Sequence, residues 1–197
     1  MLKLGFLASH GGSNMQAIVA ACRAGVLEAE PCAVVSNNSK SGALARAWEQ
    51  QIAAYHLSEK THPGALEEAI LKVMRRHGVE VVCLAGYMKK LGAGMLAAYA
   101  GRILNIHPAL LPKYGGQGMY GMRVHEAVLA AGESESGATI HLVEDGEYDQ
   151  GRILAQEVVP VEAGDTPELL QRRVLAVEHQ LYAATLQRIA RGEIALA

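Results

Sequence analysis

Most of what this sequence reveals follows from Gly101-Arg-Ile-Leu-Asn-Ile-His-Pro-Ala-Leu-Leu-Pro-Lys113. Residues 103–107 are typical of a short buried strand, in which successive side chains alternate between the two faces of a sheet. Asn105 and His107 therefore project the same way, and Pro108 ends the strand. An amide beside an imidazole at a strand end suits a hydrogen-bond donor and a proton carrier aimed at one carbonyl. The alternative is a turn-capping asparagine and a hydrogen-bonded core histidine.

The composition indicates a globular protein that acts on small molecules. The chain has 197 residues, and we expect residues 1–197 to form a single domain. Half of the residues are hydrophobic, 19% are charged and the net charge is −2, which argues against disorder and against bulk attraction to nucleic acid. No basic stretch is interleaved with aromatic residues, as a platform for single-stranded nucleic acid requires. We therefore expect small-molecule substrates and no nucleic-acid partner.

Cysteine usage and hydropathy favour the cytoplasm. Cys22, Cys32 and Cys83 leave one thiol unpaired in any disulfide scheme and lack the close spacing of metal ligands, which fits a reducing compartment. Residues 1–9 are apolar too briefly for a signal peptide, and no later segment reaches the ~18 apolar residues of a membrane span. We expect a cytoplasmic protein with no metal and no membrane partner, either a monomer or a homodimer.

Strand-like and helix-like segments alternate along the chain. Strands are predicted at residues 2–8, 32–36, 53–56, 79–85 and 102–107, with helices at 13–23, 43–51 and 65–77 between them. A helix at 123–131 is followed by strands at 138–143 and 153–161, which flank a turn carrying Asp149, and by a last helix from Pro167 to about residue 191. This order predicts an α/β fold with one doubly wound, mostly parallel sheet, helices on both faces and ligands at the carboxyl ends of the strands.

Two glycine-rich connections lie at the predicted carboxyl ends. Ser9-His-Gly-Gly-Ser-Asn14 joins the first strand to the first helix. Glycines let the backbone approach a ligand, and the N–H groups that open a helix attract anions, so a phosphate would fit there. The segment matches neither the dinucleotide fingerprint nor the P-loop, and a plain connection is an equal alternative on this evidence. Residues 113–122 predict a mobile loop beside Asn105 and His107.

The motifs together resemble the phosphoribosylglycinamide formyltransferases, a folate-dependent family of purine biosynthesis. The similarity covers nearly the whole chain and keeps the order of the motifs. They are Ser9 to Asn14 with Gln16-Ala17-Ile18, Val35-Ser36-Asn37, Leu84-Ala-Gly-Tyr-Met88, Leu104-Asn-Ile-His-Pro108 with Leu110-Leu-Pro-Lys113, Asp149-x-Gly151 with Ile153-Leu-Ala-Gln156, and Glu178-His179. Each motif alone is weak, but the ordered set is specific.

The resemblance implies a Rossmann-like fold and an activity. A formyl group would pass from 10-formyltetrahydrofolate to the amine of N1-(5-phospho-β-D-ribosyl)glycinamide, with no metal and no covalent enzyme intermediate. The implied catalytic trio is Asn105, His107 and Asp149. Asn105 would donate to the oxyanion, His107 would donate or relay a proton, and Asp149 would raise the pKa of the imidazole and organise a water for proton transfer.

The resemblance also implies two binding regions. The residues that match the ribonucleotide site are Gly12, Ser13 and Asn14 at the phosphate and Glu178 at the ribose hydroxyls. The residues that match the folate pocket are Met88, Lys89, Lys90, Leu91 and Asn105. His141 resembles a histidine near the family's active site, with a structural role as the open alternative.

Several features depart from the family's pattern. His10 lies in the phosphate loop, and residues 115–122 replace a stretch that often contains histidine. No arginine near residues 60–63 matches the one that meets the folate tail in some members, so no residue is assigned there. The roles of His10 and His62 stay open.

Three other functions remain as alternatives. They are a formyltetrahydrofolate hydrolase, a formyltransferase for a nucleotide-linked amino sugar, and a ligand-binding domain without catalysis. Proteins that resemble the hydrolase usually carry a regulatory domain before this one, whereas here we expect the catalytic domain to begin at residue 1, and the short phosphate loop favours the ribonucleotide. The intact trio argues against a domain without catalysis.

Overall fold

A computed structural model of the protein describes residues 1–144 and 147–196. The strands in this part of the chain are β1 (Leu2–Ala8), β2 (Ala29–Ser36), β3 (Ala53–His56), β4 (Val81–Leu84), β5 (Ile103–His107), β6 (Glu135–Leu142) and β7 (Ile153–Pro160). The helices are α1 (Ser13–Arg23), α2 (Gly42–Glu49), α3 (Leu66–Arg76), α4 (Ala93–Ala98), α5 (Met122–Ala130) and α6 (Pro167–Ala190).

The strands form one sheet in the order β3-β2-β1-β4-β5-β6-β7. Pairs among β1 to β5 are parallel, whereas β6 and β7 are antiparallel to their neighbours. The predicted α/β fold with a mostly parallel sheet is therefore confirmed, and so is the antiparallel excursion that carries Asp149.

Helices cover both faces of the sheet because the strand side chains alternate. On one face, α1, α2 and α6 pack against Leu4 and Phe6 of β1. On the other face, α3 and α4 pack against Leu7 of the same strand. Burial on both faces explains why β1 and β4 are almost continuously apolar. None of the described helices combines the length and apolar character needed to cross a bilayer.

The carboxyl ends of β1 and β4 define a crevice. β2 lies on one side of β1 and β4 on the other, so the connections that leave these strands diverge, and open α/β sheets bind ligands at such a point. Ser9 ties the two connections together. Its backbone N–H donates to the carbonyl of Gly86 at 3.0 Å, and the N–H of Met88 donates to the Ser9 hydroxyl at 2.8 Å.

The structure differs from the predicted elements most clearly at β2 and at α4, and β6 begins at Glu135 rather than at residue 138. β2 begins at Ala29, upstream of Pro31, whereas prediction starts it after this proline; the register between β1 and β2 shifts between Leu4 and Gly5, which accommodates the residue without a backbone donor. Helix α4 has no predicted counterpart. It has six residues, of which Met95 is buried.

Candidate functional site

The predicted catalytic side chains meet at the carboxyl end of β5. His107 Nδ1 lies 3.4 Å from Asp149 Oδ2. Asn105 Nδ2 lies 3.5 Å from Asp149 Oδ1, although the two residues are 44 positions apart. Asp149 occupies the turn between β6 and β7 with φ 59°, a left-handed conformation in which aspartate is enriched among residues other than glycine. The structure thus brings a strand pair and a distant turn to one point.

His107 is nearly enclosed, with 3% of its surface exposed. Its Nε2 donates to the carbonyl oxygen of Tyr114 at 2.7 Å, while Nδ1 faces Asp149. Burial lowers the pKa of His107 and outweighs the raising effect of Asp149. The expected raised pKa is therefore wrong in its net direction, although Asp149 contributes with the expected sign. A lowered pKa makes the protonated ring a stronger acid.

Asp149 is held in its ionised form by several donors. Burial by itself raises the pKa of Asp149, but the hydrogen bond from His141, the charge of His107 and the N–H of Gly116 together lower it. The Gly116 N–H donates to Oδ2 at 3.0 Å. Because Gly116 belongs to the glycine-rich run 113–122, that run lies beside the site as predicted.

His141 is part of the same cluster. Its Nδ1 lies 2.9 Å from the carbonyl oxygen of Leu142, and its Nε2 lies 3.1 Å from Asn105 Nδ2 and 3.4 Å from Asp149 Oδ1. His141 is 1% exposed. It therefore contacts two members of the predicted trio directly, which a residue with only a packing role elsewhere in the sheet would not do.

A cavity of about 580 Å³ opens over the trio. The predicted site residues that line it are Asn14, Met88, Lys89, Asn105, His107, Asp149 and Glu178. Gly12 and Ser13 are not among its lining residues; they form the N-terminal end of α1. Lys90 and Leu91 line a second cavity of about 740 Å³, which shares Tyr87 and Lys89 with the first. The two cavities therefore adjoin.

Glu178 is carried to the first cavity by α6. Four residues further along the helix, on the same face, the Tyr182 hydroxyl donates to the carbonyl of Leu104 at 2.9 Å and anchors the helix on the sheet. Asn14 Nδ2 donates to Glu178 Oε2 at 2.7 Å. Burial raises the pKa of Glu178 to about 7, and the bond from Asn14 opposes it. Asn14 Oδ1 is buried and has no partner in the described structure, although a buried polar atom normally has one.

The cavity also contains residues that sequence reasoning missed. These are Arg123, His125, Tyr148 and Gln171, among others. His125 is 1% exposed, its Nδ1 has no partner among the described residues, and burial lowers its pKa to about 4. The sequence signal that could have found His125 is its place beside Val124 within the predicted helix at 123–131, because a polar ring buried there needs a partner. By contrast, the ring of His62 lies outside both cavities, and its Nδ1 is 3.0 Å from the hydroxyl of Thr61 in its own loop.

Gly12 supports a first prediction. Its φ is 68°, and a Cβ atom there would lie 2.7 Å from the Cβ of Ala43 in α2. Gly12→Ala is therefore expected to cost at least about 1 kcal/mol of stability and to displace the start of α1. If residues 12–14 hold the phosphate, KM for the ribonucleotide rises tenfold or more. Steady-state kinetics and thermal unfolding measure both effects.

Gly11→Ala is the matched control for Gly12→Ala. A Cβ atom at Gly11 meets nothing within 4 Å, and its φ lies outside the left-handed region. This variant is expected to keep the Tm and the KM. An unchanged KM in Gly12→Ala, together with a lowered Tm, would separate the strained backbone from ligand binding and remove residue 12 from the site.

The fold and the site define an α/β enzyme of the formyl transferase class, and the family model described as "Formyl transferase" matches residues 2–186. Similarity to individual proteins makes the family assignment more specific. The chain is 36% identical to the phosphoribosylglycinamide formyltransferase of Escherichia coli (strain K12), over 95% of this chain and 87% of that protein. The chain belongs to the phosphoribosylglycinamide formyltransferase family.

Two further similarities agree with this assignment. The chloroplastic phosphoribosylglycinamide formyltransferase of Arabidopsis thaliana is 43% identical over 98% of this chain, which spans 66% of the plant protein. The crystal structure of glycinamide ribonucleotide transformylase 1 from Symbiobacterium toebii superimposes with a TM-score of 0.92 at 37% identity, covering 100% of this chain and 91% of that one. The chain therefore spans nearly all of the bacterial protein and about two thirds of the plant one.

Proposed function

We propose that this protein transfers the formyl group of 10-formyltetrahydrofolate to the amine of N1-(5-phospho-β-D-ribosyl)glycinamide, in de novo purine biosynthesis. The observation that carries the proposal is the single cavity lined by the trio, by Asn14 and Glu178, and by Met88 and Lys89. The proposal includes residues 1–197 as one domain, acting in the cytoplasm as a monomer or homodimer.

At the ribonucleotide end, the phosphate would be held by backbone N–H groups. Gly12 and Ser13 stand at the start of α1, where free N–H groups and the helix dipole favour an anion. The partnerless Oδ1 of Asn14 is an acceptor, so it suits a hydroxyl of the ribose rather than the phosphate. Glu178 would accept hydrogen bonds from the ribose hydroxyls. These groups suit a phosphorylated sugar, whose charge and hydroxyls lie at opposite ends.

At the folate end, the segment after β4 would supply backbone contacts to the pterin. Met88 and Lys89 line the cavity that holds the trio, and Lys89, Lys90 and Leu91 line the adjoining one. The folate donor is elongated. Its formyl group would lie in the cavity that holds the trio, and the rest of the molecule would extend into the adjoining cavity. Asn105 would both contact the folate donor and belong to the catalytic trio.

The reaction balances with the groups present. The amine nitrogen bonds to the formyl carbon, and negative charge develops on the formyl oxygen. Collapse of this tetrahedral intermediate breaks the bond between carbon and the folate nitrogen, which takes a proton from His107. The proton lost by the amine replaces it, directly or through water held by Asp149. An amide donor such as Asn105 directed at the oxyanion is worth about 3–4 kcal/mol in comparable sites.

The decisive assay offers the donor with and without the acceptor amine. Tetrahydrofolate release is expected only when the ribonucleotide is present, in a one-to-one ratio with N-formyl product. Release that does not depend on the ribonucleotide would favour the hydrolase. Formylation of an amino sugar on a nucleotide, with none of the glycinamide, would favour the other transferase.

Glu178 gives a pH-dependent prediction. Ribose hydroxyls are donors, so they bind the ionised carboxylate better than the acid. With a pKa of about 7, the ionised fraction of Glu178 rises about tenfold between about pH 6 and pH 8. KM for the ribonucleotide is therefore expected to fall about tenfold over this range in the wild type.

Glu178→Gln is the control for this profile. It keeps a side-chain oxygen but cannot ionise, so its KM is expected to be raised at pH 8 and to vary less with pH. The substrate phosphate also titrates, near about pH 6, and the difference between the two profiles removes that contribution. Parallel profiles in the two proteins would contradict the role given to Glu178.

A further inference from the structure

The segment 88–91, which follows β4 and lines the two cavities, is held at its ends rather than along its length. At its start, the N–H of Met88 donates to the Ser9 hydroxyl at 2.8 Å. At its end, Leu91 belongs with Met95 of α4 to the apolar cluster on this face of the sheet. Among the described residues, the backbone groups of 89–91 form no hydrogen bond. The conformation of the segment therefore depends on what holds Met88 and α4 in place.

Helix α4 takes its cap from another helix. The residue at its own N-cap position is Gly92, which has no side chain to accept a hydrogen bond. The acceptor is supplied by α3, because Glu67 Oε1 accepts from the N–H of Met95 at 2.8 Å. Met95 is the third residue of α4, where a capping side chain normally bonds. Glu67 therefore does the work of an N-cap side chain from 28 positions away in the sequence.

Two glycines of α4 and its N-cap make room for this carboxylate. A Cβ atom at Gly92 would lie 2.5 Å from Glu67 Oε1, and one at Gly94 would lie 3.1 Å from Glu67 Oε2. The φ of Gly92 is −85°, which any residue can adopt, so its backbone conformation does not demand glycine. The close approach of the Glu67 carboxylate does. The glycines thus fit the start of α4 to a cap that comes from α3.

We propose that Glu67 is a positioning residue for the folate donor: by bonding to α4, it fixes the end of the segment 88–91 in the conformation that receives the pterin. The inference rests on the proposed function, which supplies the donor and its contacts with this segment. Glu67 lines the cavity of Lys89, Lys90 and Leu91 but not the cavity over the trio, so its effect is confined to the donor. Without the bond, donor binding must also order the segment, and this ordering lowers the affinity.

The kinetic test compares Glu67→Ala with Glu68→Ala. In Glu67→Ala, KM for 10-formyltetrahydrofolate is expected to rise about fivefold, the size of the loss of one helix cap. KM for the ribonucleotide and kcat are expected to change little. Glu68 is the matched control, because it shares the first turn of α3 but is exposed and lines neither cavity. Equal effects in the two variants, or an equal rise of both KM values in Glu67→Ala, would overturn the proposal.

Glu67→Gln distinguishes the hydrogen bond from the charge. Glutamine keeps an oxygen that can accept from the N–H of Met95, but it removes the negative charge from the cavity wall. If Glu67 acts through the bond, the KM for the donor in Glu67→Gln is expected to stay near that of the wild type. A KM as high as that of Glu67→Ala would show that the charge matters and would overturn the proposal.

Gly92→Ala reaches the same bond from the other side. Its methyl group would take the place of the Glu67 carboxylate, while the backbone angles at residue 92 suit alanine. The KM for the donor is therefore expected to rise as it does in Glu67→Ala. Because both changes remove one interaction, the double variant is expected to have about the same KM as Glu67→Ala. Increases in KM that multiply in the double variant would overturn the proposal.

Hydrogen exchange and calorimetry separate this inference from the proposed function. In the free protein, the amide of Met95 is expected to exchange faster in Glu67→Ala than in the wild type or Glu68→Ala. Tetrahydrofolate, titrated without turnover, is expected to bind Glu67→Ala about fivefold more weakly than the wild type. Faster exchange with unchanged affinity would overturn the inference even if the wild type transfers formyl groups. The expected loss of affinity, in a protein that formylates no ribonucleotide, would support the inference and overturn the proposed function.

Discussion

Replacing His107 with alanine is expected to lower kcat for formyl transfer by about 10²–10⁴-fold, the range typical of losing a proton-transfer group. The departing folate nitrogen then has no positioned donor, and solvent water must supply the proton. KM for either substrate is expected to change little, because the interaction is made while the bond breaks. Steady-state kinetics with both substrates measure this split.

Fold stability, a control variant and chemical rescue are measured together with the His107→Ala kinetics. The fold is expected to persist, because His107 ends a strand at a cavity rather than inside either main apolar cluster. His77→Ala, at the residue that follows α3, is the matched control, since it removes another hydrogen-bonded ring without touching the cavity. Added imidazole is expected to restore part of the rate by entering the space left by the side chain. Near-normal turnover in His107→Ala would remove His107 from the mechanism.

The position of the site was predictable because it depends on local sequence. The alternation of side chains along β5 puts Asn105 and His107 on one face, and the buried apolar runs identify the strands whose carboxyl ends carry loops. Asp149 is different. Its turn was recognisable, but only the resemblance to the family linked that turn with Asn105, because contacts across 44 positions leave no trace in hydrophobic periodicity.

Elements that depend on tertiary contacts were not predictable. Helix α4 has six residues with glycine at position 94, and its local preference for helix is weak. Its first turn is completed by another helix, since Glu67 of α3 accepts from the N–H of Met95 at 2.8 Å. A capping carboxylate 28 positions away cannot be found by scanning for local caps.

The electrostatics of the site were the least predictable. Pairing with Asp149 suggested a raised pKa for His107, whereas burial reverses the net direction. The glycine-rich run contributes to the surroundings of this ring, since Nε2 of His107 contacts the Tyr114 carbonyl. The contact between the Asn105 amide and His141 of the neighbouring strand, at 3.1 Å, is likewise tertiary. The residue types predicted which groups could take part in the reaction, but the protonation states of these groups depend on how they are packed.

Asp149→Asn is expected to lower kcat at neutral pH by about 10²–10³-fold. Asparagine keeps the size of the side chain and tolerates the left-handed backbone of this position, so the change removes mainly the charge. Asp149 raises the pKa of His107 against the effect of burial. Without it, that pKa falls further, and a smaller fraction of His107 is protonated at any given pH.

The direction of the pH shift distinguishes this explanation from a general loss of structure. Activity that requires protonated His107 falls as the pH rises through its pKa, so in Asp149→Asn this fall is expected to begin at a lower pH than in the wild type. Asp165→Asn is the control, because Asp165 pairs with Arg173 at 2.7 Å and lines neither cavity. It should weaken the fold without moving the pH profile. A profile that stays in place or shifts to higher pH in Asp149→Asn would mean that the carboxylate acts on the reaction by some route other than the His107 proton.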